Sequence, residues 1–105
     1  MLDQVFVIDG EALEMRRTRL RLHGVEAPGS GQFCSDNLDE TYRCGQTATL
    51  GMESFVRGNI VTCTIKDKDR YGRLVIECFV DGKNINKKLV HHGFALACRE
   101  PLRLY

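Results

Sequence analysis

The run "NIVTCTIKDKDRYGRLVIECFVDG", residues 59–82, constrains the fold more than any other part of this chain. Two β-rich segments, "NIVTCTIKD" and "GRLVIECFVDG", flank the polar turn "KDRYG", so they pair as a hairpin. With Ile65 opposite Ile76, the same register sets Cys63 opposite Cys78 and Val61 opposite Val80. The period of two then gathers six apolar side chains on one face.

A second β region precedes it. "QVFVIDGEALEM" reads as a strand, a turn at Asp9-Gly10 and a return strand, because Asp-Gly between apolar runs is a strong hairpin signal. "TRLRLHGV" adds a third strand, which makes an antiparallel meander over residues 3–25. "GSGQFCSDNLDET", residues 29–41, has no sustained period and reads as a loop. Ala48, Met52, Phe55 and Val56 then recur at helical spacing and Gly58 follows, which predicts a helix over 43–57. A short second helix fits "INKKLVHHG", with Asn86 as its cap, Leu89 and Val90 inward and Gly93 at its end. Five strands with a helix between the third and fourth is the order of an α+β, OB-like barrel, and 105 residues suit one domain spanning 1–105.

Fifteen Lys and Arg against fourteen Asp and Glu leave a formal charge of +1, so any anion site must be local rather than part of a global basic field. No apolar run approaches the roughly 20 residues of a membrane span. The five cysteines form two local pairs by position, Cys34 with Cys44 and Cys63 with Cys78, leaving Cys98 as a packed or surface thiol. Disulfides and free thiols both fit this placement, and no Cys or His spacing matches a zinc site. The cysteine content points to a secreted or periplasmic setting, with no signal peptide in the residues given.

Three segments carry the chemistry: the Asp9-Gly10-Glu11 turn, the Arg21–Gly29 strand and loop, and "DKDRYGR", residues 67–73. Arg21 and Arg73 come from separate strands and could converge on one phosphate, whose oxygens suit a guanidinium fork. Glu11 and Glu26 could hold a hard cation beside them.

Through "VIDGEAL", "RLRLHGVEAP", "GQFC", "YRCGQTA", "DRYGRLVIECFVDGKNIN" and "LVHHGFALA", in that order, nearly the whole chain resembles the staphylococcal nuclease-like, or thermonuclease, domains. The resemblance implies an OB-fold barrel and, for active members, Ca2+-dependent hydrolysis of phosphodiesters in DNA and RNA. On it, Arg21 and Arg73 correspond to the arginines that bind the scissile phosphate. Glu11, Glu26 and the Ala27 carbonyl match the calcium ligands, both acids being Asp in relatives, and Tyr71 matches a substrate contact. Gly29 stands where relatives carry the Glu regarded as the general base, and Ala12 where they usually carry Thr. The changes fall on the metal and base side and leave the arginines intact. The resemblance therefore implies a nuclease domain with weakened or lost turnover, or alternatively a non-catalytic module binding nucleic acid or another anionic ligand. Single-stranded DNA or RNA are the expected partners. Many relatives continue into a C-terminal helix beyond the point where "CREPLRLY" ends, so truncation, a partner chain or a homo-oligomer are the ways to cover the barrel there.

Blander readings stand beside these. Asp36, Asp39 and Glu40 are read as solvated turn residues rather than a substitute base. His91 and His92, with Lys87 and Lys88, are read as a solvated helix face rather than a nucleic-acid patch. Cys34 with His23 makes a poor nucleophile and base, because nothing orients the histidine. Tyr71 serves equally well as a substrate contact or as packing over its turn.

Overall fold

The computed structural model describes residues 1–97; Cys98 and the rest of "CREPLRLY" lie outside them. In chain order the elements are β1 (Leu2–Asp3), β2 (Phe6–Asp9), β3 (Ala12–Met15), β4 (Thr18–Leu22), β5 (Val25–Glu26), β6 (Cys34–Ser35), β7 (Thr41–Tyr42) and α1 (Cys44–Val56). After them come β8 (Val61–Lys68), β9 (Leu74–Val80), β10 (Lys83–Asn84), α2 (Ile85–His91) and β11 (Leu96–Ala97).

The hairpin that most constrains the sequence has the expected register: Cys63 pairs with Cys78 and Ile65 with Ile76. A bulge between Ile65 and Asp67 then shifts the ladder. Ile65 is 51% exposed beside that bulge, so it drops out of the expected apolar face, while Val61, Cys63, Ile76, Cys78 and Val80 are buried.

The sheet has seven strands in the order β1-β8-β9-β4-β3-β2, with β10 beside β9. The β4–β9 pair is parallel and the other pairs are antiparallel. This strand order is OB-like, although the ladders do not close into the expected five-stranded ring. The path instead begins on β1 and ends on β2, which Gln4 and Val5 alone separate. The expected first strand, read from Gln4, is observed over Phe6–Asp9 on β3, while Leu2–Asp3 ahead of it form a separate strand on β8, and the curled sheet wraps one core.

Alternation places Leu13 and Met15 of β3 and Leu20 and Leu22 of β4 in that core. Ala48, Met52 and Val56 of α1 complete it at i, i+4 and i+8, so the observed helix falls within one residue of the predicted one at each end. The expected third strand stops at Leu22, because Gly24 turns the chain at φ +75° into the separate pair β5–β11. Residues 34–42, expected as loop, contain the small hairpin β6–β7.

Helix α2 corrects one assignment. Its N-cap is Asn84, whose side chain accepts from the Lys87 N–H at 3.0 Å. Asn86 is instead 4% exposed. Its carboxamide accepts from the Cys78 N–H at 3.0 Å and donates to the carbonyls of His23 at 2.9 Å and Ile76 at 3.1 Å. One side chain therefore ties α2, β9 and the turn after β4 together. No helix among the described residues is long and apolar enough to cross a membrane.

Candidate functional site

Gly10 lets the β2–β3 turn press against the interior. A Cβ there would fall 2.7 Å from that of Ala27 and 2.8 Å from that of Ala48. The Asp9 side chain accepts from the Glu11 N–H at 2.9 Å, and the Glu11 carbonyl takes the Leu22 N–H at 2.8 Å, so the turn is fixed to the end of β4. Arg21 lies opposite Ala12 in the ladder, and its Nη2 sits 3.2 Å from Glu11 Oε2 with both side chains largely shielded from water. Burial pushes the Glu11 carboxyl above its usual range. The Arg21 charge opposes that rise, Asp9 and Glu26 add to it, and Arg73 lowers it again. Of these residues Arg21 contacts the Glu11 carboxylate and Asp9 its backbone N–H.

Arg73 is set by the turn before β9. The Asp69 carboxylate accepts from the Tyr71 and Arg73 N–H groups at 2.9 Å each and from Arg73 Nε at 2.8 Å. Desolvation is the largest single influence on Asp69 and raises its pKa, but the hydrogen bonds from Arg73 and Tyr71 together with the Arg73 charge outweigh it and hold the carboxyl below its usual value. Tyr71 is 75% exposed, with the guanidinium carbons of Arg70 at 5.9 Å and Arg73 at 5.8 Å from its ring centre. It is not buried over the turn; it is solvent-exposed with both guanidinium groups over its ring.

Glu26 is exposed on β5 and Ala27 is buried behind it. The next loop is built on α1. Gly45 leaves room for the Gly29 carbonyl, which a Cβ at 45 would strike, and that carbonyl also accepts from the Gln32 N–H at 2.9 Å. Cys34 is bonded to Cys44, the first residue of α1, so it offers no thiolate to His23. Cys63 is bonded to Cys78 across the central hairpin. At Gly29 itself a Cβ would meet nothing within 4 Å, and the loop's nearby side chain is the neutral carboxamide of Gln32, which accepts from the Gly29 N–H at 3.2 Å.

Calcium takes six to eight oxygen ligands. The residues matched to a calcium site here supply two carboxylates and one carbonyl; Glu11 is engaged by Arg21, and the Asp9 oxygen that could supplement them receives the Glu11 N–H. Among the described residues no group of three or more His, Cys, Asp or Glu is placed to hold a metal ion. Glu11, Glu26 and the Ala27 carbonyl would hold a calcium ion only with Glu11 freed from Arg21 and with water completing the shell.

The other acids are accounted for locally. Asp36 accepts from Leu38 and Glu40 within the β6–β7 turn, and Asp39 occupies a left-handed position at φ 61°. Lys87, His91 and His92 are exposed, as expected of a solvated face, although His92 also packs on Phe55 and Phe94 and the half-buried Lys88 sits 4.6 Å over the Phe55 ring. Asp69, which positions Arg73, was not singled out by sequence, and Asn86, which ties down the turn after Arg21, was read only as a helix cap. Asp69 lies in the quoted "DKDRYGR" stretch, whereas the spacing of Asn86 imitates a helix cap.

Residues 19–102 match the family model described as staphylococcal nuclease homologue. The chain belongs to this family. Among curated relatives, the chain is 37% identical over 98 residues to "Succinoglycan biosynthesis protein ExoI" of Rhizobium meliloti (strain 1021), covering 91% of this chain and 51% of that protein. It is 33% identical over 96 residues to an "Uncharacterized endonuclease" of Escherichia coli O157:H7, covering 87% and 56%. It is also 28% identical over 86 residues to "Probable staphylococcal-like nuclease CAN1" of Oryza sativa subsp. japonica, covering 82% and 23%. The chain thus spans about half the length of the first two relatives.

Proposed function

We propose that this chain is a phosphodiester-recognising domain of the nuclease type, in which Arg21 and Arg73 take the phosphate of a DNA or RNA strand and hydrolysis is slow. The carrying observation is an asymmetry. Both guanidinium groups are positioned, one by Glu11 and one by Asp69, while Gly29 offers no base. The two arginines would bind phosphate oxygens and stabilise the charge that grows on them during attack by water. Without a residue at position 29 to orient or deprotonate that water, general-base help worth about 10² to 10⁴ in rate is missing.

The test is cleavage of a labelled single-stranded DNA, with calcium or with chelator, by the wild type and by Gly29→Glu. The backbone at Gly29 is not left-handed and the space is open, so the Glu side chain can be accommodated. The expected result is a rise of at least about tenfold in the variant. A wild type that already cleaves as fast as the variant would refute the proposed role of position 29.

The second reading is a non-catalytic binding module for an anionic strand, favoured by the Arg21–Glu11 pair that occupies a proposed calcium ligand. Salt-dependent oligonucleotide binding with no turnover in either protein would select it.

A further inference from the structure

The outer face of β4 carries a positive charge that the proposed site does not use. Leu20 and Leu22 point into the core, so Arg19 and Arg21 share the opposite face. Two residues along a strand span about 6.6–6.8 Å, a spacing comparable to that between consecutive phosphates of an extended polynucleotide. Leu20 pairs with Leu74 in the parallel β4–β9 ladder, which brings Arg73, one residue before Leu74, alongside Arg19, one residue before Leu20. Arg21, Arg73 and Arg19 therefore cluster on one side of the sheet.

Their counter-charges are unequal. Arg21 is paired with Glu11 and Arg73 with Asp69, but among the described residues Arg19 makes no ion pair. Glu14 lies opposite it in the β3–β4 ladder, but its carboxylate is not within 4 Å of the Arg19 guanidinium nitrogens.

The turn beyond Arg19 is a second, independent observation. Met15 pairs with Thr18, so Arg16-Arg17 is a two-residue hairpin loop, with φ 52° at Arg16 and φ 66° at Arg17. Such a turn favours Asn and Gly, because a Cβ is strained in the left-handed region. Both positions carry arginine instead. Arg16 makes use of its charge locally, donating to Asp3 at 2.8 Å and to the Leu2 carbonyl at 3.1 Å. Arg17 is exposed and makes no ion pair among the described residues, so neither turn geometry nor local pairing explains it.

We infer that Arg19, with Arg17 beyond it, forms a phosphate track leading away from the Arg21–Arg73 site, so that a strand bound there is also held at the phosphates next along it. This rests on the reading of Arg21 and Arg73 as a phosphate site and adds two contacts outside it. Contacts of this kind add affinity without sequence preference and make binding salt-dependent.

The experiment measures binding in chelator of a fluorescent single strand of about ten nucleotides and of a nucleoside monophosphate. The variants are Arg19→Gln, Arg17→Gly, Arg21→Gln and, as a control for lost charge, Arg57→Gln on the far end of α1. Arg19→Gln should weaken the strand roughly threefold to tenfold at low salt. It should also reduce the slope of log affinity against log salt by about 0.7 and leave the monophosphate unchanged. Arg17→Gly should weaken the strand while raising the melting temperature, because glycine suits the left-handed position. Arg21→Gln should weaken both ligands and Arg57→Gln neither. The track is overturned if Arg19→Gln behaves like Arg57→Gln, or if it weakens the monophosphate as much as the strand, even where Arg21→Gln still lowers affinity. If the wild type binds neither ligand, the phosphate-site reading fails and the track fails with it.

Discussion

Replacing Asn86 by Ala removes three hydrogen bonds made by one buried side chain, and the structure shows which groups would then be stranded. The Ile76 carbonyl keeps a partner, since it also accepts from the His23 N–H at 2.7 Å. The Cys78 N–H does not. Cys78 faces Cys63 with their Cα atoms 4.1 Å apart, the close spacing of a non-hydrogen-bonded antiparallel pair, so its N–H points away from β8 and finds only Asn86. A buried donor left unpaired costs about 1–3 kcal/mol. The His23 carbonyl is part-buried and can recover some of its loss from water. The sum is about 3 kcal/mol, a large share of the roughly 5–15 kcal/mol that a domain has in total. At about 4–8 °C per kcal/mol for a chain near this size, the melting temperature should fall by on the order of 12–24 °C. The assay is thermal and urea unfolding followed by circular dichroism, with both disulfides intact. Asn84→Ala provides the comparison: it removes the true α2 cap and should cost only about 1 kcal/mol. If Asn86→Ala costs no more than Asn84→Ala, the reasoning that separates the buried tie from the cap is wrong.

Three further outcomes are expected. Asp69 titrates below its ordinary 3.8 in the folded state, so its stabilising effect is fully present above that value and is lost as pH falls through the depressed one. Asp69→Asn should therefore unfold at a lower temperature than wild type at neutral pH, with the gap closing in acid; a gap that is the same at both ends would contradict this. Gly45→Ala should destabilise by about 1–3 kcal/mol, because its Cβ would meet the Gly29 backbone rather than a mobile side chain, whereas Gly29→Ala, whose Cβ enters open space, should differ little from wild type in the same unfolding assay. Mild thiol reductant without denaturant should open Cys34–Cys44 before Cys63–Cys78, since Cys34 is partly exposed while Cys63 and Cys78 are 2% and 0% exposed. Alkylation followed by mass spectrometry reads the order, and equal rates would count against it.

Local periodicity was enough to determine the central hairpin, the meander and α1, because an alternating or helically spaced apolar set can be buried in only one register. The candidate site residues Arg21, Arg73, Glu11, Glu26 and Gly29 came from the family resemblance rather than from periodicity, since their spacing alone is a weak signal. What the sequence did not disclose depends on partners distant along the chain. Asn86 at the start of α2 looks like a cap until β9 and the His23 turn arrive to take its hydrogen bonds. The separate strand β1 ahead of β2 follows from one segment having to serve two sheet edges. That Glu11 binds Arg21, and that Arg19 lies beside Arg73, required β3, β4 and β9 to be laid side by side. Sequence specifies which way each side chain faces along its own strand, but which charges meet across strands is decided only when the strands pair.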